Sequence, residues 1–244
     1  MIPGLVSVTF RQLSPAGIVS LTVDAGLEAI EWGGDVHVPV GDFRTAREVA
    51  QRCADNGIAI EAYGSYYRAT GDFGPVLATA LALGAPRIRV WAGANGSALE
   101  TDRDTVVADL REVAALAGGE GVEIAVEYHA NTLTDTLDSA LRLFEEVPAL
   151  KPYWQPPVGS TVDDALTAVP ALDPVAVHVF GWADDGTRLP LAARESLWRP
   201  VLARLPGDRH ALLEFVRDDS PEAFAADADT LRDWLSTPGW AHDS

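Results

Sequence analysis

Short runs of apolar and β-branched residues alternate along the whole chain with stretches whose apolar positions recur at helical spacing. Such runs read as strands of a buried parallel sheet, and the periodic stretches as helices turned toward it. The runs lie at residues 5–10, 27–32, 58–63, 87–92, 123–129, 152–156, 175–180 and 211–216. Val106, Leu110, Val113, Ala114 and Leu116 illustrate the helical spacing, as do Leu137, Leu141, Leu143 and Phe144. Gly26, Gly57, Gly84 and Gly121 each stand just before a strand, where a helix ending in a left-handed residue favours glycine.

Polar or indole-bearing residues recur near the strand ends: Glu31, Glu61, Trp91, Glu127, Gln155, His178 and Glu214, spaced 23 to 36 residues apart. That spacing divides the 244 residues into eight βα units. The chain is therefore read as an α/β protein, a single-domain (β/α)8 TIM barrel over residues 1–244. An open doubly wound sheet is the weaker reading, because SVTFRQLSPAG replaces a G-x-G-x-x-G turn after the first strand. The segment after Leu235, with Trp240, reads as a loose end or an oligomer contact.

The formal charge of −18 repels phosphate backbones and anionic lipid, which argues against nucleic-acid and membrane partners and for small molecules. Cys53 is the only cysteine, so no intramolecular disulfide or thiolate cluster can form. A cytoplasmic location is expected, since the start lacks a basic n-region and no apolar run approaches the ~20 residues of a span. Lys151 is the only lysine, which makes Schiff-base chemistry improbable.

In a barrel of this kind the carboxyl ends of the strands converge on one mouth. Glu127, Gln155, His178 and Glu214 would meet there from strands 5 to 8. Each sits among apolar neighbours, where an unpaired charge costs several kcal/mol, so each carboxylate needs a cation or strong donor. Two carboxylates, an imidazole and an amide oxygen form a hard set suited to Mn²⁺, with Mg²⁺ or Co²⁺ as alternatives. The competing arrangement pairs the two glutamates with Arg87 or Arg89 and leaves His178 as a hydrogen-bonded core histidine. Glu31 and Glu61 read as surrounding polar residues.

The segments GLEAIEWGGD, VEYHANTLTDT, AVHVF and LLEFV resemble the xylose isomerase-like barrel superfamily over essentially the full chain. The resemblance implies that Glu127, His178 and Glu214 bind a divalent metal and that the two glutamates also act as acid and base. It departs at strand 6, where the epimerases of the superfamily carry Asp followed by a nearby His and this chain reads YWQPPVGS. Gln155 in that place can ligate but brings no charge, which weakens the site.

Two glutamates flanking a cation-bound α-hydroxycarbonyl suit proton abstraction to an enediolate. Reprotonation gives epimerisation or isomerisation, and loss of a β-substituent gives a lyase. The expected function is isomerisation or epimerisation of an unphosphorylated sugar, keto-sugar or cyclitol. The alternatives are a dehydratase or deglycosidase on the same site, or a non-catalytic sugar-binding barrel. Trp32, Tyr66, Trp91, Trp154 and Trp182, with Tyr63 and Tyr67, gather near the strand ends, where aromatic rings suit stacking on sugar C–H faces. His37, on the loop after strand 2, and His129, two residues beyond Glu127, complete the candidate substrate contacts. A homo-oligomer is compatible with these features, and Arg188 and Arg194 read as surface ion-pair partners.

Overall fold

The computed structural model describes residues 1–99 and 102–236. Eight parallel strands close in sequence order: β1 (Ile2–Val6), β2 (Ala29–Gly33), β3 (Ala59–Gly64), β4 (Arg87–Val90), β5 (Glu123–Glu127), β6 (Lys151–Trp154), β7 (Ala176–Val179) and β8 (His210–Leu213). Helices α1 (Pro15–Asp24), α2 (Phe43–Asp55), α3 (Gly74–Leu83), α4 (Arg103–Gly119), α5 (Leu137–Glu146), α6 (Val162–Leu172), α7 (Glu195–Leu202) and α8 (Pro221–Ser236) follow the strands in turn. The structure is a (β/α)8 TIM barrel. The segment after Leu235 that was read as a loose end or contact lies, beyond Ser236, outside the described residues.

The glycines before the strands behave as their positions require: Gly26, Gly57, Gly84 and Gly121 have φ of 64°, 70°, 73° and 75°. Helix starts are set by side-chain caps, as where Thr161 and Asp164 form a reciprocal capping box at α6. The first strand differs from the sequence reading. It starts three residues earlier, and Ser7–Phe10 is a 3₁₀ turn. There the Ser7 hydroxyl accepts a hydrogen bond from Gly33 N at 2.9 Å and meets His37 Nδ1 at 3.0 Å, so the chain turns off the sheet toward the second strand's loop. β4 to β8 stop one to three residues short of the predicted ends, because the residues that follow bend into the mouth loops, whereas β2 and β3 run one residue past theirs.

Most of the apolar core lies between strands and helices, with Trp32, Ile88, Trp154, Trp198 and Phe224 essentially inaccessible. Inside the barrel the apolar cluster is small: Val6, Ala125, Tyr153, Ala176 and Leu212. Ionisable side chains fill much of the remaining interior. A bulge contributes to this, since Ile30 pairs with Ile60 but Glu31 pairs with Ala62, which makes Glu61 an extra residue in β3.

Packing inside the barrel is close at Gly4, where a Cβ would lie 2.4 Å from Leu212 Cδ2 and 2.6 Å from the Ala29 carbonyl oxygen. Gly4→Ala should therefore cost about 1–3 kcal/mol of stability through overpacking, read as a lower urea midpoint at unchanged m-value.

Candidate active site

The mouth of the barrel is organised by Arg89 on β4, which is 4% exposed. Its Nε donates to Glu31 Oε1 at 2.7 Å, and its Nη1 pairs with Glu127 Oε2. Trp91 Nε1 donates to the same Glu127 oxygen at 2.6 Å. Glu31 Oε2 in turn takes a hydrogen bond from Tyr153 at 2.7 Å and lies 2.8 Å from His178 Nε2. Tyr153 also reaches Glu61 Oε2 at 2.9 Å, and Glu61 pairs with Arg87, which bonds Glu123 at 2.9 Å. One connected network thus runs from Glu127 down the barrel interior.

Two atoms at its upper end are left over. His178 Nδ1 and Glu214 Oε2 are buried, make no hydrogen bond and lie 3.4 Å apart, with Glu127 Oε1 at 3.7 Å from the same nitrogen. Burying such groups without partners costs about 1–3 kcal/mol each, so their arrangement asks for a bound group. Phe215, directly after Glu214, has φ of 54°, a left-handed conformation that an aromatic residue rarely adopts and that is commonest at functional sites.

The charges are coupled. Burial pushes the Glu214 carboxyl up to about 7, reinforced by Glu127 and opposed by His178 and Arg89. Burial works against the His178 imidazolium, but Glu214 and Glu31 outweigh it and raise the imidazole to about 9. Glu31 is also desolvated, yet Arg89 and His178 hold it well below the usual carboxylate range. Lower in the barrel, burial raises Glu61 to about 7 despite the Arg87 guanidinium.

Of the residues singled out from sequence, Glu127, His178 and Glu214 come together as described. Tyr153 faces the interior and Trp154 packs edge-on against Trp198 at 5.9 Å, while half-buried Gln155 follows the last residue of β6. Trp91, His129 and Tyr66 are neighbours there: both His129 and Tyr66 have ring centroids 5.3 Å from the Trp91 ring. Trp182 stacks on Phe180 and Phe215 at 4.8 and 4.9 Å. Trp32 and Trp154 are instead buried outside the barrel wall, and Trp154 lines a separate cavity of about 440 Å³ beside α5 and α6. His37 is spent on loop structure, its ring nitrogens lying 3.0 Å from Ser7 Oγ and 3.2 Å from the Leu13 carbonyl oxygen. Glu127 does pair with Arg89, and Arg188 with Asp219, as the ion-pair readings had it. Tyr153 was not singled out. Its signal was the alternation that groups it with Gln155 in KPYWQ, obscured by the prolines on either side.

A divalent cation can be tested against these donors. Among the described residues no group of three His, Cys, Asp or Glu side chains is placed so that it could hold a metal ion as it stands. The donor types nonetheless suit a hard cation, because the oxygens Glu214 Oε2 and Glu127 Oε1 lie 3.4 and 3.7 Å from the nitrogen donor His178 Nδ1.

The family model described as xylose isomerase-like TIM barrel matches residues 19–179, well over half of the chain. The chain belongs to this family. No curated protein matches it. Among solved structures it is similar to the probable 3-DHS dehydratase AsbF involved in petrobactin synthesis from Bacillus anthracis. That match has 22% identity and a TM-score of 0.77, and covers 95% of this chain and 99% of that one. D-allulose 3-epimerase from Methylomonas sp. is 14% identical, with a TM-score of 0.67 and coverage of 96% and 98%. A xylose isomerase-like TIM barrel protein from Mycobacterium smegmatis in complex with magnesium is 16% identical, with a TM-score of 0.67 and coverage of 97% of both chains. At these identities the likeness speaks for the xylose isomerase-like fold.

Arg89→Met would leave Glu31 and Glu127 buried without their cation and should cost about 3–5 kcal/mol, measured by urea denaturation, with Arg89→Lys costing less.

Proposed function

We propose that the protein is a divalent-metal-dependent isomerase or epimerase of an unphosphorylated sugar, keto-sugar or cyclitol, working in the cytoplasm. The observation that carries this reading is the facing set of His178 Nδ1, Glu214 Oε2 and Glu127 Oε1 at the mouth of the barrel. Glu127, His178 and Glu214 would hold the cation, with Gln155 as the fourth donor, and Mn²⁺ suits this set best, ahead of Mg²⁺ or Co²⁺. When bound, the cation supplies polarisation of a substrate carbonyl, which acidifies the neighbouring C–H.

This chain's residues do the proton work. Glu127 ends β5 and Glu214 directly follows β8, one to take the proton from the carbon beside the carbonyl and the other to return it. Before a cation binds, burial raises the Glu214 carboxyl to about 7, and the bound cation would hold it as the carboxylate. Arg89 and Trp91 fix the orientation of Glu127, and Glu31 fixes the ring of His178. The rings of Trp91, Tyr66 and His129 form the wall against which a sugar C–H face would lie, with Trp182 on the β7 side.

A lyase on the same residues is the second reading. It is favoured by the fold likeness to a probable dehydratase.

Incubation with Mn²⁺ and a panel of ketoses and cyclitols in D₂O should place deuterium on the carbon beside the carbonyl. Glu127→Gln and Glu214→Gln should each slow this exchange by about 10²-fold or more. Absence of exchange from every panel member in the Mn²⁺-loaded protein would sink the proposal. A second measurement follows from His178. Its proton must leave before Nδ1 can bind a cation, so Mn²⁺ affinity should rise about tenfold per pH unit between pH 7 and 9, with about one proton released in calorimetry. A flat profile would place the cation elsewhere.

A further inference from the structure

Beside the mouth, between the loops that follow β2 and β3, lies a cavity of about 390 Å³ lined by Asp35, Tyr66, Tyr67, Arg68 and Thr70 among others. Two charged side chains face it. Asp35 is already neutralised, because it pairs with Arg11, which also donates to the Tyr66 hydroxyl at 2.7 Å. Arg68 is not. Among the described residues it has no carboxylate partner, and its one hydrogen bond goes to the Gly93 carbonyl oxygen at 3.3 Å.

Arg68 is nevertheless held in place. It is half-buried, with its guanidinium carbon 4.1 Å from the centre of the Trp91 ring. The chain on either side is pinned: the Tyr67 carbonyl accepts from Trp91 N at 2.9 Å, and Ala69 takes a left-handed φ of 55°. A half-buried guanidinium with no carboxylate partner among the described residues is unusual in a chain of net charge −18, which offers acidic partners over most of its surface. The indole beneath it donates to Glu127, so Arg68 stands one ring away from the proposed proton-transfer group.

We infer that Arg68 receives the carboxylate of the substrate, and that the ligand class is polyhydroxylated acids, such as sugar acids or hydroxylated cyclic acids, in preference to neutral sugars. The inference rests on the reading of Glu127 and Glu214 as the proton-transfer pair and narrows its substrate. A guanidinium offers a carboxylate two parallel N–H donors, and the aromatic face beneath leaves its outer edge free for that geometry. A phosphoryl group, with more charge and more oxygen atoms, would call for further donors, and Arg68 is the only basic side chain lining this cavity among the described residues.

The test is equilibrium binding by calorimetry, without added metal, of three probes: gluconate, glucitol and glucitol 6-phosphate. The expected result is that gluconate binds at least tenfold tighter than glucitol and tighter than the phosphate. Arg68→Met should bind gluconate and glucitol equally, and Arg68→Lys should keep part of the preference, which separates loss of charge from loss of structure. Equal binding of gluconate and glucitol by the unmodified protein, tighter binding of the phosphate, an undiminished preference in Arg68→Met, or no binding of any probe would overturn it. Binding needs no turnover, so the two readings can fail separately. A gluconate preference without deuterium exchange would defeat only the proposed reaction, and exchange on neutral ketoses without such a preference would defeat only this inference.

Discussion

A single buried guanidinium holds the upper half of this barrel in order. Arg89 reaches from β4 to Glu31 on β2 and to Glu127 on β5, and those two carboxylates carry the orientation of nearly everything else at the mouth. With Glu127 Oε2 occupied by Arg89 and Trp91, the other oxygen is the one nearest His178. With Glu31 Oε1 on Arg89, the second oxygen serves Tyr153 and His178. Space for the pair comes from Gly64, where a Cβ would fall 2.3 Å from Glu31 Oε1 and 2.9 Å from Arg89 Nη2. Any larger residue would separate the two ions.

The interior charges have little to do with net stability. Buried ion pairs repay their desolvation only when the geometry is good, and often do no better than apolar replacements. Folding free energy must come chiefly from the apolar layer between strands and helices, where the largest side chains are fully covered. That division of labour leaves the barrel axis available for chemistry. The polar column through Tyr153, Glu61 and Arg87 then supplies the lower interior charges with partners down to half-exposed Glu123, whereas His178 Nδ1 and Glu214 Oε2 at the mouth are left without one. Strain concentrates there too, at Phe215 beside Glu214 and at Ala69 beside Arg68.

The aromatic residues near the strand ends illustrate how far reading along the chain can go. As a group they suggested one sugar-binding wall, and strand alternation sorts them into two populations. Trp91, with Tyr66 and His129 beside it, lies at the mouth, whereas Trp32 and Trp154 are one residue out of phase with Glu31 and Tyr153 and pack against the helices. Tyr63 belongs with the second group because the bulge at Glu61 shifts the phase of β3, and its hydroxyl bonds the Val38 carbonyl oxygen at 2.9 Å. A one-residue shift of this kind leaves no mark on composition or periodicity.

The barrel, its eight units and its glycine stops were legible in the sequence, because each depends on local periodicity and on backbone conformations that only certain residues adopt. The same holds for Glu127, His178 and Glu214, since charged groups embedded in apolar runs declare themselves. Which carboxylate meets which cation was decided by the closed barrel. Arg89 and Glu31 are 58 residues apart and Tyr153 and Glu31 are 122 apart, and nothing in either neighbourhood distinguishes Arg89 from Arg87. Their partners follow from strand order, register and one bulge, which are properties of the assembled sheet and of the need to neutralise every charge it encloses.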